Sequence, residues 1–334
     1  MINRAAPGCC SARGKVVRAR VRNAGEAGLK VQLQRSRRQF LAAGLAAAGA
    51  GALPLRGLAA TGLSLNPLTD RLWLVEGGAA NIVVASAGNE LVLVDGGAEA
   101  DSRALKKLLE QKFPGQKLRA VFNTHWHHTQ TGFNATARAL GADVLAHENT
   151  RLWLTTEVNS RWEGRTYKRV AKDALPNRTF YNDPQVLEFG GGKVEYVHLG
   201  QAHTDGDIYV RFAEDNVIVT GDVLAPGRYP IIDTATNGYL GGINTALRTI
   251  GALCNEQTRL VPGTGAVAGL AALKEQEAMG TQVLVRMSEN YRKGGTFEEF
   301  VATRPTAEFD AKIQQPAATG ERFVRALVAE LTAK

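Results

Sequence analysis

Apolar positions first organise the chain between residues 81 and 95. Ile82, Val83, Val84 and Ala85 run without polar interruption, and Leu91 to Val94 repeat the pattern after Gly88-Asn89. Two short apolar runs joined by a glycine-asparagine turn predict neighbouring strands. Asp95-Gly96-Gly97 then closes the second run in a tight turn. From Asp101 to Phe113 the apolar residues Leu105, Leu108, Leu109 and Phe113 recur at helical spacing. A strand is expected at 120–123, a helix at 134–140, a strand at 144–147 and a helix at 149–157. Residues 158–185 break the alternation, with Trp162, Tyr167, Phe180 and Tyr181 set among charges and prolines. They read either as an excursion that borders a pocket or as a plain surface loop.

A second strand-rich unit follows at 186–189, 194–199, 208–212 and 217–220. The pattern then predicts a helix at 241–253, a short strand at 260–261, and a long helix at 270–291 interrupted at Gly280. Further helices are expected at 298–303 and 321–333. Two strand-rich halves with helices between them imply two sheets packed face to face, helices outside, in one α/β domain. The chain shows no short-period repeat and no dinucleotide-binding glycine fingerprint.

Composition changes the picture at the N-terminus. Arg37-Arg38 precede an apolar run from Leu41 to Leu55 that is mostly Ala, Gly and Leu. A basic region, a modest apolar stretch and small-residue cleavage sites after Ala50 or near Ala60 describe a secretory leader. The arginine pair resembles the bacterial twin-arginine signal, which implies export of a folded protein to the periplasm by that machinery. An ordinary helix and an uncleaved anchor are the competing readings. The run is shorter than the ~20 residues a membrane span needs, so no stable insertion of the mature chain is expected. Residues 1–60 hold 11 of the 40 basic residues and one of the 32 acidic ones, which leaves about −2 on the remainder. The basicity therefore belongs to the leader and gives no reason to expect nucleic acid. With Cys9 and Cys10 in the leader, Cys254 is left alone and no internal disulfide can form. The expected organisation is a leader at 1–60, a domain at 61–303 and a packed helical extension at 304–334.

The candidate chemistry lies in Asn123-Thr124-His125-Trp126-His127-His128-Thr129-Gln130, where three of the six histidines fall within four positions. His125 and His127, leaving a strand, can turn to one ion. His203 and Asp222 also follow expected strands, and strand exits on one sheet edge are where loops converge. Three imidazoles, with Asp222 or a water in the fourth position, suit Zn²⁺.

These residues and their order resemble the metallo-β-lactamase superfamily across residues 70 to 290, which implies its four-layer αββα sandwich. That family carries His-any-His-any-Asp-His, then a His before Thr, an Asp after Gly, and a His in a Pro-Gly-His-Gly turn. His125, His127, His203 and Asp222 match its ligands. Thr129, Gln130 and Thr264 stand where the family has Asp, His and His. The resemblance thus implies a tight site for one Zn²⁺ rather than two, with Gln130 and Thr264 as weak second-site donors. Asp222, backed by His128, becomes the expected base or proton carrier. Asp95 and Thr129 are expected to brace or border the ligands and His147 to hydrogen-bond a ligand or a loop, while His198 reads as structural. Tyr229, Tyr239 and Trp162 are candidate pocket residues.

The leading expectation is an exported metal-dependent hydrolase that acts on an ester, lactam, thioester or phosphoester of a small molecule. One alternative is a mononuclear Fe enzyme that oxidises sulfur through His125, His203 and Asp222, since two histidines and a carboxylate suit oxygen chemistry. Another is a periplasmic metal- or ligand-binding protein without turnover.

Overall fold

The computed structural model describes residues 62–160, 164–313 and 317–329. The expected leader and Trp162 lie outside the described residues. The chain opens as an antiparallel meander of β1 (Ser64–Pro67), β2 (Leu72–Glu76), β3 (Ile82–Ala87) and β4 (Glu90–Val94). Helix α1 (Ser102–Lys112) crosses over to β5 (Lys117–Phe122), parallel to β4. The single turn α2 (His128–Thr131) and α3 (Asn134–Ala139) lead to β6 (Asp143–His147), parallel to β5. Helix α4 (Glu148–Leu154) and a hairpin of β7 (Val158–Ser160) and β8 (Arg165–Tyr167) precede β9 (Arg178–Phe180), parallel to β6.

The second sheet runs antiparallel through β10 (Gln185–Phe189), β11 (Gly192–His198), β12 (Ile208–Phe212) and β13 (Val217–Gly221). After α5 (Leu240–Gly251), β14 (Arg259–Pro262) adds in parallel to β13. Helices α6 (Leu270–Arg292), α7 (Phe297–Ala302), α8 (Ala307–Asp310) and α9 (Ala317–Ala329) complete the chain. Among the described residues no helix is long and apolar enough to cross a membrane.

The uninterrupted apolar runs of β3 and β4 follow from burial on both faces. Val83, Ala85, Val92 and Val94 point between the sheets and meet Phe189, Val194, Val210 and Val219. Their alternates Ile82, Val84, Leu91 and Leu93 face outward against Leu105 and Leu109 of α1 and Ala137 of α3. On the far side Ile218 and Leu260 pack under α5, α6 and the C-terminal helices, whose Phe300, Phe323 and Val324 join the same cluster. Helices, two sheets and helices are therefore stacked in four layers, an αββα sandwich.

Several elements depart from expectation. The meander begins earlier, with β1 and β2, and β9 emerges from the excursion as an edge strand of the first sheet. The excursion is also partly cored, since Val158, Tyr167 and Leu175 pack on Trp126 and Leu154. Gly280 does not interrupt α6. It sits where α6 passes α5, and a Cβ there would meet Asn244 Oδ1 at 2.3 Å, so the glycine serves close helix approach.

Candidate metal centre

Strand ends bring four loops to one edge. The backbone N–H of Asp95 donates to Phe122 at 2.7 Å and that of Asn123 to Leu145 at 2.9 Å, so β4, β5 and β6 finish together. The two sheets are tied there by the N–H of Ile208, which donates to the Thr124 carbonyl at 2.9 Å. Gly221 turns the end of β13 through φ 55°, and a Cβ on it would lie 2.7 Å from Thr124 Oγ1. Only glycine combines that dihedral with that approach. Asp222 follows directly.

At this edge His125 Nε2 lies 3.0 Å from His127 Nδ1, and His203 Nε2 lies 3.1 Å from the same atom. Asp222 Oδ2 stands 3.6 Å from His125 Nε2 and 3.8 Å from His203 Nε2. One ligand atom from each of the four falls within 4.8 Å of the others. The three imidazoles are buried, at 0%, 6% and 0% exposure for His125, His127 and His203.

The outer nitrogens settle the tautomers. His203 Nδ1 is 2.9 Å from the Ile231 carbonyl, which can only accept. His127 Nε2 is 3.1 Å from Asp233 Oδ2. His125 Nδ1 is 3.0 Å from Thr124 Oγ1, whose own proton goes to Asp95 Oδ2 at 2.8 Å. Each outer nitrogen therefore donates, and each inner nitrogen presents a bare lone pair to the other two. Three converging lone pairs repel unless a cation lies between them. A tetrahedral Zn²⁺ with bonds of about 2.0–2.1 Å would set its nitrogens about 3.3 Å apart, close to the spacings found. The residues thus fit one divalent ion.

Charge around the trio is arranged to match. Burial pushes the Asp222 carboxyl up, but the imidazoles of His125, His203 and His127 beside it outweigh burial and hold it below the usual carboxylate range. Asp233 behaves alike, with burial opposed by His127 and the balance lowered. Asp95 is fully buried, and burial raises it to about 7 against the pull of His125 and its bonds from Thr124. Its backbone is left-handed at φ 64°, held there while its carboxylate takes the N–H and hydroxyl of Thr124, both at 2.8 Å.

Asp233 carries no motif and is absent from the sequence reading. It caps a short turn by accepting from Ala235 N, receives Thr236 Oγ1 at 2.7 Å, and so connects to Trp126 Nε1, which donates to Thr236 Oγ1 at 3.0 Å. Trp126, buried among the histidines, is thereby part of the frame that orients His127.

The residues expected to form a weak second site are engaged otherwise. Thr264 Oγ1 accepts from Arg228 Nη2 at 2.7 Å, so a guanidinium occupies its lone pair and opposes a second cation there. Gln130 Oε1 takes the Thr129 hydroxyl, while its buried Nε2, a donor, has no partner. Thr129 itself is exposed. The half-buried His128 lies edge-on to Tyr167 at 4.8 Å. Among the described residues only the His125, His127, His203 and Asp222 group has metal-ligand geometry.

Other expected residues are placed elsewhere. His147 stacks on His198 at 3.6 Å, accepts from Asn149 N to cap α4, and donates to the Tyr181 carbonyl. Its ring nitrogens are spent on α4 and on the loop at residue 181, the second of its two expected roles. Tyr229 is buried, donates to Asp310 Oδ1 at 2.6 Å and stacks on Phe323, which removes it from the pocket. Tyr239 is 40% exposed, and its N–H donates to the Ala202 carbonyl beside His203.

The chain matches the family model for the metallo-beta-lactamase superfamily over residues 75–262, more than half its length. Solved structures share the fold at low identity. A metallo-beta-lactamase from Pontibacter korlensis is 16% identical with a TM-score of 0.52, covering 66% of this chain and 99% of that one. The DIM-1 metallo-beta-lactamase is 14% identical with a TM-score of 0.53, covering 66% and 97%. VMB-1 is 16% identical with a TM-score of 0.52, also covering 66% and 97%. No curated protein matches the chain. The chain belongs to the metallo-beta-lactamase superfamily.

Proposed function

We propose that this superfamily member is a mononuclear Zn²⁺-dependent hydrolase of a small molecule carrying an ester, lactam, thioester or phosphoester. The observation that carries the reading is the trio of inner imidazole lone pairs, with His127 Nδ1 3.0 Å from His125 Nε2 and 3.1 Å from His203 Nε2 and each outer nitrogen committed as a donor. His125, His127 and His203 would hold the ion and leave its fourth position to a water, with Asp222 bordering that position 3.6 Å from His125 Nε2 and 3.8 Å from His203 Nε2. Zinc bound there supplies an acidified water and a Lewis acid for an acyl or phosphoryl oxygen. Asp222 is the acceptor that orients and takes up a proton, because its carboxyl stays ionised beside the imidazoles. Thr129 has no such capacity, and its hydroxyl is turned to Gln130. His128 is the second proton carrier. The share of His127 in the cluster favours three nitrogens and zinc over an iron triad of two histidines and a carboxylate.

The Arg37-Arg38 pair and the apolar run behind it support export of the folded protein to the periplasm. Moving Arg37 and Arg38 to Lys in a reporter fusion should stop export.

The test of the site is metal content and turnover together. Protein purified without added metal should hold one zinc per chain and hydrolyse at least one member of an ester, lactam and phosphoester panel. Asp222→Asn should keep the zinc and lose most turnover. One iron per chain with oxygen uptake on a persulfide would replace this reading, as would stable zinc with no turnover on any substrate.

A further inference from the structure

A cleft of about 680 Å³ opens on the helix-covered side of the first sheet, lined by Arg138, Arg151, Lys172, Asp173, Pro176, Asn177 and Thr179. It shares no residue with the metal group. Its floor is a stretch of backbone whose successive carbonyls are each taken by a side chain. Asn134 Nδ2 donates to Ala174, Arg138 Nη1 to Leu175 at 3.2 Å, and Arg151 Nη1 to Pro176. Two neighbouring carbonyls thus each hold one guanidinium group, and both arginines line the cleft. Each uses one Nη on the backbone and leaves its remaining N–H groups without a partner among the described residues.

Three other cations in this region are paired. Arg119 and Arg178 both reach Asp143, and Lys168 reaches Glu157. Arg138, Arg151 and Lys172 have no carboxylate partner among the described residues, although Asp173 lines the same cleft. Three cations and one carboxylate leave the lining at +2. Like charges that line one cleft repel, and Arg138 and Arg151 are both half-buried, where screening by water is reduced. A loop clamp alone would need neither the second Nη of each arginine nor Lys172.

We propose that this cleft binds a phosphoryl group. A dianion balances the lining charge, whereas a single carboxylate leaves it half-neutralised. The free N–H groups of the two guanidiniums form the planar fork that phosphate oxygens accept from.

Calorimetric titration of the zinc-loaded protein with inorganic phosphate tests this. Arg138→Gln/Arg151→Gln should weaken binding by at least about tenfold, and Lys172→Gln by about threefold, with zinc content unchanged. Because Lys172 is exposed, its variant decides the matter if the arginine pair proves necessary for folding. Phosphate bound at the metal centre would persist in all three backgrounds. Vesicles of phosphatidic acid form a second arm. Binding only to vesicles, lost in the same variants, would place the phosphoryl group on a lipid, whereas binding of free phosphate would place it on a soluble ester. Affinity for both probes that is absent, or equal in wild type and Lys172→Gln, overturns the site.

Discussion

Asp233→Asn should cost metal affinity while leaving the fold in place. The carboxylate is fully buried and takes three donors: His127 Nε2 at 3.1 Å, Thr236 Oγ1 at 2.7 Å and Ala235 N at 3.2 Å. The amide offers one oxygen to the same three. Whichever way the amide is turned, its NH₂ faces a donor: Ala235 N at the Oδ1 position, or His127 Nε2 and Thr236 Oγ1 at the Oδ2 position. His127 then loses its anionic partner, the ring is free to turn, and its inner nitrogen becomes a poorer donor to the ion. Replacing a carboxylate that orients a ligating histidine typically lowers metal affinity about 10- to 100-fold, or about 1.4–2.7 kcal/mol. A lost charge-assisted hydrogen bond, about 1.5–3 kcal/mol, gives the same range. Competition against a chromogenic zinc chelator reads the affinity, and far-ultraviolet circular dichroism controls for folding. Affinity within about twofold of wild type in a folded variant would refute the orienting role and leave Asp233 as a turn cap.

Three further outcomes are expected. Burial first, then the charge of His198, push His147 down to about 4 from 6.5, so it takes up a proton on unfolding between those pH values. Stability should rise with pH across that window and be lost on acidification through it. His147→Asn, which can still cap α4, should flatten the urea midpoint against pH between 4 and 6.5; an unchanged slope would contradict this. Gly221→Ala forces φ 55° on a residue with a Cβ and drives it against Thr124, which should cost about 2–4 kcal/mol in denaturant unfolding. A loss below about 1 kcal/mol would mean the β13 turn relaxes freely. Restoring the family's second-site types with Thr129→Asp/Gln130→His/Thr264→His should leave zinc near one per chain while Arg228 remains, and raise it toward two once Arg228→Ala is added. Two zincs with Arg228 in place would show that the guanidinium does not exclude the second ion.

The sandwich was legible because its central strands are buried on both faces, so Ile82 to Ala85 and Leu91 to Val94 read as unbroken apolar runs. Edge elements were not. Strand β1 exposes most of Ser64–Pro67, and β9 is three residues long, so neither leaves a period to read. The interruption expected at Gly280 failed because propensity was the only signal there, while the contact with Asn244 of α5 is tertiary.

The metal group divides along the same line, for a chemical reason. A borderline ion accepts few donor types, so the inner atoms must come from histidine or a carboxylate, and those residues stand out at strand exits. The outer nitrogens need only an acceptor. Here a threonine hydroxyl serves His125, a carboxylate serves His127 and a backbone carbonyl serves His203. A task that three different groups can perform imposes no residue type and leaves no spacing. Asp233 lies 106 positions from His127 and Ile231 lies 28 from His203, at distances set only by how the two sheets close. Asp95 was expected from its resemblance to a carboxylate of the family, and it ends a strand beside the histidine loop, where its carboxylate takes the N–H and hydroxyl of Thr124. The same logic applies to Thr264: its substitution was visible in sequence, but the Arg228 guanidinium held against it, 36 positions away, was not.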